Sequence, residues 1–80
     1  MDIKVLGPGC VNCQTLEKNT IDASSELGVS ANVDKVTDIN QYADYGVMMT
    51  PALVINGNLK VSGRVPAKDE IKKWIEEESP

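Results

Sequence analysis

Eighty residues, 41% hydrophobic and 25% charged, suffice for one domain spanning 1–80 and carry too much apolar surface for a disordered chain. Twelve acids against eight bases, a net charge of −4, exclude the clustered positive charge that nucleic acid or an anionic membrane surface requires. No run approaches the length of a membrane span, and Met1-Asp2-Ile3-Lys4 lacks the basic and then apolar pattern of a signal peptide, so the expected location is a reducing cytoplasm.

In chain order, Ile3 to Leu6 is a short apolar-rich strand stopped by Gly7-Pro8-Gly9. Leu16, Thr20, Ala23 and Leu27 recur at helical spacing, which predicts a helix from Cys10 or Val11 to Leu27, ended by Gly28. Ala31 to Val36 reads as a second strand. Asp38 with Gln41 three residues on has the form of a capping box, and it opens a short helix of Ile39, Tyr42 and Ala43 that Gly46 closes. Ala52 to Ile55 is a third strand. Asn56-Gly57 is a strong hairpin signal, and Leu59 to Ser62 is the returning strand. After the loop Gly63-Arg64-Val65-Pro66, a last helix carries Ile71, Trp74 and Ile75 on one face. Its closing Glu76-Glu77-Glu78 opposes the helix dipole, so that end is expected to fray. The order βαβαββα implies an α/β fold, with a four-stranded mixed sheet flanked by three helices. The alternating units at the start imply parallel strands, and the hairpin adds an antiparallel edge.

Cys10 and Cys13 are the only cysteines, three positions apart. A disulfide across so short a loop stabilises by roughly 2 kcal/mol in the chain-entropy account, which makes a poor staple. The pair therefore reads as chemical. Positions i and i+3 share a helix face, so the sulfurs can bond with little backbone movement. Cys10, at the helix start, meets free N–H groups and the positive end of the helix dipole, and both favour a thiolate. That makes Cys10 the candidate nucleophile. Cys13, one turn in and more shielded, is the candidate resolving thiol, which attacks the mixed disulfide and releases the substrate. Histidine is absent, so proton transfer falls to the thiols, water or a nearby carboxylate.

Three segments, Leu6-Gly-Pro-Gly-Cys-Val-Asn-Cys13, Met49-Thr-Pro-Ala-Leu-Val-Ile-Asn-Gly57 and Ser62-Gly-Arg-Val-Pro66, resemble the small archaeal and bacterial thioredoxin-like group of redox-active disulfide proteins, within the thioredoxin superfamily. The resemblance spans essentially the whole chain. It implies a thioredoxin-like fold, dithiol–disulfide exchange on protein substrates and no cofactor beyond the Cys10–Cys13 couple. It also implies re-reduction by a thioredoxin-reductase-like donor, in a cytoplasmic monomer. Pro51 is implied to be a cis proline. The backbone at Met49, Thr50 and Pro51 would then face the cysteines and pair with an extended substrate segment. The chain differs from thioredoxin proper in having Gly9 before the motif, Val11-Asn12 inside it, and Lys4 where an early-strand aspartate stands.

Other residues carry weaker readings. Lys4 either tunes the thiols or runs out to water as an ordinary strand lysine. Met48 and Met49 read first as core or half-exposed packing residues and second as an adaptable docking surface or soft-metal ligands. Tyr42, Tyr45 and Trp74 fall at core spacing. Arg64 is a loop cation able to grip a carboxylate. The competing function is a soft-metal module, with Cys10 and Cys13 holding copper or, across a dimer, zinc.

Overall fold

The computed structural model describes residues 1–79; Pro80, the last residue of the expected 1–80 domain, lies outside the described residues. The elements are β1 (Asp2–Leu6), α1 (Val11–Glu26), β2 (Asn32–Val36), α2 (Ile39–Tyr42) running into a 3-10 turn over Ala43–Tyr45, β3 (Ala52–Ile55), β4 (Asn58–Ser62) and α3 (Lys68–Glu78). They form the expected α/β arrangement, one sheet of order β2-β1-β3-β4 with helices on both faces.

Only β1 and β2 are parallel; β3 runs antiparallel to β1, and β4 antiparallel to β3. The expectation of parallel strands thus holds for the first crossover and fails for the second. The cause is connector length. The 16 residues of α1 reach about 24 Å, enough to carry the chain back along a five-residue strand. The four residues of α2 cover about 6 Å, so the chain stays at the end where β2 finished. It enters β3 there, with Ala52 beside Leu6.

Alternation along the strands builds two unequal cores. Ile3, Val5, Leu53, Ile55 and Val61 face Leu16 and Ala23 of α1 and Ile71 and Ile75 of α3. Leu6, Val36, Ala52 and Val54 face Tyr42 and Val47 on the other side. Each fully buried Leu or Ile contributes roughly 1.5–3 kcal/mol, so the first core dominates stability. β3 is buried along its whole length because both of its faces are covered, which is why it reads as an unbroken apolar run.

Local chemistry fixes the boundaries. Gly28, at φ +69°, ends α1 in a Schellman turn: Val29 N–H donates to Ser24 and Gly28 N–H to Ser25. Asn56 (φ +51°) and Gly57 (φ +82°) form the tight hairpin the dipeptide predicts. The capping box is only half present. Asp38 caps α2 by accepting from Asn40 N–H at 2.9 Å, while Gln41 gives its backbone N–H to the Asp38 carbonyl. A helix of one turn leaves the Asx-type bond as the shorter closure. At the far terminus, α3 is helical to Glu78, where Lys60 Nζ lies 2.8 Å from the Glu78 carboxylate and Asn58 Nδ2 donates to it at 3.1 Å.

Candidate functional site

Four chain segments meet at the end of the sheet where β1 and β2 finish and β3 begins. Cys10 is the N-cap of α1, extended at φ −68° and ψ 170°, and exposed. Cys13 begins the buried stripe of α1, in helical register with Leu16, Thr20 and Ala23, and is only 5% exposed. Helix periodicity therefore puts one sulfur in solvent and the other against the sheet.

The thiols are free, with the sulfurs 2.7 Å apart, and Cys13 N–H donates to Cys10 Sγ at 3.3 Å. Both contacts stabilise negative charge on Cys10. Its pKa is held below the usual thiol range, first by the hydrogen bond from the Cys13 side chain and next by the Cys13 backbone N–H. Burial pushes the Cys13 thiol up, and its bond to Cys10 pushes it further. The two cysteines are thus polarised in opposite directions by one helical turn.

Gly7 is the residue sequence reasoning undervalued, having read it as part of a strand stop. A Cβ built on it would lie 2.2 Å from Cys13 Sγ, 3.2 Å from Cys13 Cβ and 3.9 Å from Thr50 Cβ. The missing side chain is the seat of the buried sulfur, and it brings Cys13 and Thr50 to the same spot. No signal in the sequence separates this glycine from one that merely permits a turn.

The Thr50–Pro51 peptide bond is cis, Pro51 is buried, and Thr50 is half-buried. The neighbouring strand holds this loop: Gly63 N–H donates to the Pro51 carbonyl at 2.9 Å and Ser62 Oγ to the Met49 carbonyl at 2.7 Å. Met48 is 96% exposed and Met49 64%, so neither is a core residue, and Met49 lies half out of solvent against Gly63. Buried Val47 and Pro51 bracket them and leave both methionines on the outside of the loop. Val11, 77% exposed, adds a third apolar side chain beside the motif.

The remaining sequence candidates sort plainly. Lys4 is bound by Asp34 at 2.9 Å and Asp2 at 3.3 Å, and its pKa is raised first by the Asp34 hydrogen bond, so the cation is engaged across the strands. Arg64 makes a two-pronged pair with Glu70, at 3.3 and 2.8 Å. Tyr42 is buried in the smaller core, while Tyr45 and Trp74 are half-buried. The Tyr42 hydroxyl pKa is raised, by burial first and then by the charge of Cys13.

Comparison with known proteins agrees with this geometry. The family model described as "Thioredoxin domain" matches residues 1–76. A thioredoxin of Methanothermobacter thermautotrophicus is 45% identical over 75 residues, which cover 94% of this chain and 97% of that protein. A thioredoxin of Methanocaldococcus jannaschii is 35% identical over 73 residues, covering 91% of this chain and 84% of that one. A probable thioredoxin of Methanothermobacter marburgensis is 31% identical over 89% of this chain and 86% of its own length. The chain belongs to the thioredoxin family and is a thiol–disulfide oxidoreductase.

Proposed function

We propose that the chain is a small cytoplasmic electron carrier in which Cys10 attacks a protein disulfide and Cys13 resolves the resulting mixed disulfide. The observation that carries this reading is the asymmetry of the pair. The exposed sulfur accepts two hydrogen bonds that favour its thiolate, while the buried one is held protonated 2.7 Å away. A thiol at its ordinary pKa of about 8.5 is only about 3% ionised at pH 7, so lowering it speeds attack. Once Cys10 is bonded to substrate, its charge is gone and the main electrostatic barrier to deprotonating Cys13 goes with it. Cys13 then closes the Cys10–Cys13 disulfide and expels the substrate as a thiol, so two electrons pass to the substrate.

Met49, Thr50 and Pro51 form the substrate-binding segment. An extended substrate strand pairs with the Thr50 backbone, and the exposed side chains of Met48, Met49 and Val11 supply adaptable apolar contact. A thioredoxin-reductase-like donor returns the electrons. The protein acts as a monomer and needs no cofactor besides the cysteine couple. No helix among the described residues is long and apolar enough to cross a membrane.

The test is titration of the couple against a dithiothreitol redox buffer, read by thiol alkylation and mass spectrometry, with metal content measured on the same sample. A reversible two-electron transition near the cytosolic poise, about −200 to −320 mV, supports the carrier. A pair that stays reduced throughout and holds stoichiometric copper or zinc overturns it in favour of the metal module. Cys10→Ser is expected to abolish reduction of a protein disulfide, and Cys13→Ser to accumulate mixed disulfides on Cys10. Equal residual activity in the two variants removes the assignment of roles.

A further inference from the structure

The buried sulfur sits under the Gly7-Pro8-Gly9 turn. Cys13 Sγ fills the space beside Gly7, and Gly7 N–H ties the start of the turn to β2 by donating to the Val36 carbonyl at 3.0 Å. Gly9 ends the turn at φ +92°, with open space where a Cβ would stand, so glycine is needed there for its backbone alone. The far end of the turn is held by Gln14, an exposed residue one position past the motif. Its side-chain Nε2 donates to the Gly9 carbonyl at 3.0 Å, and its backbone N–H donates to the Cys10 carbonyl at 2.9 Å. The backbone bond is the ordinary first bond of a helix. The side-chain bond needs a long side chain that ends in a donor.

The two carbonyls belong to the rigid peptide planes on either side of the Cys10 α-carbon, so Gln14 holds both dihedrals of Cys10, φ −68° and ψ 170°. The Gly9–Cys10 peptide is trans, and a trans peptide points its N–H opposite to its C=O. With the Gly9 carbonyl on Gln14, the Cys10 N–H of the same plane is turned the other way, toward the thiols. Burial and then the Cys10 thiol push the Cys13 pKa up; the backbone N–H of Cys10 and then that of Gly9 pull it down. Both N–H groups lie in the segment that Gln14 holds. A hydrogen bond accepted at the carbonyl also polarises its peptide and strengthens what the N–H donates.

We propose that Gln14 is a positioning residue for the resolving step: its side-chain amide locks the Gly9–Cys10 peptide so that backbone N–H groups face the Cys13 sulfur as it becomes a thiolate. The inference deepens the electron-carrier reading above and rests on it. In the resolving step the Cys13 thiol gives its proton to water, its sulfur bonds to Cys10, and the substrate sulfur leaves as a thiolate. Histidine is absent from the chain, and Cys10 has no proton to donate while it is bonded to substrate. The backbone donors then carry the stabilisation of the Cys13 thiolate, and Gln14 acts on it through the peptide rather than on the sulfur.

Reaction of the reduced protein with an aromatic disulfide, dithiobisnitrobenzoate, separates the two thiols in time. Attack by Cys10 releases one coloured thiolate at a rate that depends on reagent concentration. Attack by Cys13 on the mixed disulfide releases a second at a rate that does not. Gln14→Met keeps the length and loses the donor, and Gln14→Asn keeps the amide and loses the reach. Both are expected to slow the second release about two- to three-fold at neutral pH, with a smaller effect on the first. The difference should close as pH rises and the Cys13 thiolate forms unaided. Thr20→Val, which removes a bond from Thr20 Oγ1 to the Leu16 carbonyl at 2.8 Å deeper in the same helix, is expected to leave the second release as it is. A second release that Gln14→Met leaves unchanged overturns the proposal. So does one that Thr20→Val slows equally, because that places the effect in general helix stability, or one that Gln14→Asn leaves at the wild-type rate. Absence of the second release in the wild-type protein overturns the resolving role of Cys13 itself, so the failure of the carrier reading is distinguishable from the failure of Gln14.

Discussion

The two ends of the sheet are built on opposite terms. At the hairpin end, polar groups close on one another. Asp2 N–H donates to Asn56 Oδ1 at 3.0 Å, Asn56 N–H returns a bond to the Asp2 carbonyl at 2.7 Å, and Asn58 and Lys60 hold Glu78. At the cysteine end, a sulfur takes the space of a missing side chain, and Met48, Met49 and Val11 stand in water. One end spends its residues on joining elements, the other on leaving reactive and apolar groups accessible. The difference teaches that stability and chemistry are separable in this fold: changes at the hairpin end should move the unfolding free energy, and changes at the cysteine end should move the thiols.

The sharpest way to break that separation is Gly7→Ala, because the clash falls on the sulfur while the backbone remains permissive. Overpacking of this kind costs about 1–3 kcal/mol. Chemical denaturation should show that loss in the wild-type background and most of it recovered with Cys13→Ala, which removes the clashing atom. A loss of equal size in both backgrounds would place the strain in the backbone instead. Asn56→Ala is the converse experiment. It removes the acceptor for Asp2 N–H and a residue suited to positive φ, so it should cost about 1 kcal/mol by denaturation. The alkylation rate of Cys10 should stay as it is; a change there means the two ends communicate.

The pH dependence sharpens the comparison at the cysteine end. The rate of Cys10 alkylation should rise with pH and level off with a midpoint below the ordinary thiol value of about 8.5, since only the thiolate reacts. In Cys13→Ala the leading cause of the shift is lost while the backbone N–H remains, so the midpoint should move up part of the way. A midpoint unmoved by the substitution would transfer the credit to the helix end alone. The smallest effect belongs to Glu26, whose carboxyl is pulled down to about 2 by hydrogen bonds from Lys68 and then Lys72. Its folded pKa lies below the unfolded value of about 4.3, so the stabilisation is present above that value and is lost as pH falls toward about 2. Glu26→Gln should lower the melting temperature slightly at neutral pH and not at all in high salt, because the pairs are exposed.

Much of this was legible in the chain because it depends on local rules. Apolar runs mark the strands, the Asn56-Gly57 pair marks the hairpin, and the stripe from Cys13 to Ala23 decides which sulfur is buried. What escaped depends on distances between segments far apart in sequence. The direction of β3 follows from where a one-turn helix delivers the chain, and residue identities do not state that. Gly7 and Cys13 are six positions apart with a turn between them, so the fit of sulfur into glycine has no pattern to read. Met48 and Met49 read as core or half-exposed by composition, and loop geometry puts them on the surface. The Glu17–Lys35 contact joins a helix to an edge strand and is equally silent in the chain.

The irregularity between Leu53 and Val54 shows how far such distant effects reach. There Val61 pairs with Leu53 and Leu59 with Val54, leaving Lys60 as an extra residue in β4. The lysine reaches Glu78 and Glu77, at 2.8 and 3.8 Å, beside a helix terminus with no basic residue of its own in the last turn. A strand thus lends a helix the counter-charge that the helix sequence withholds. It follows that α3 is not a self-sufficient module: excised as a peptide it should unravel from its acidic end, and grafted elsewhere it would need its bulged neighbour to travel with it.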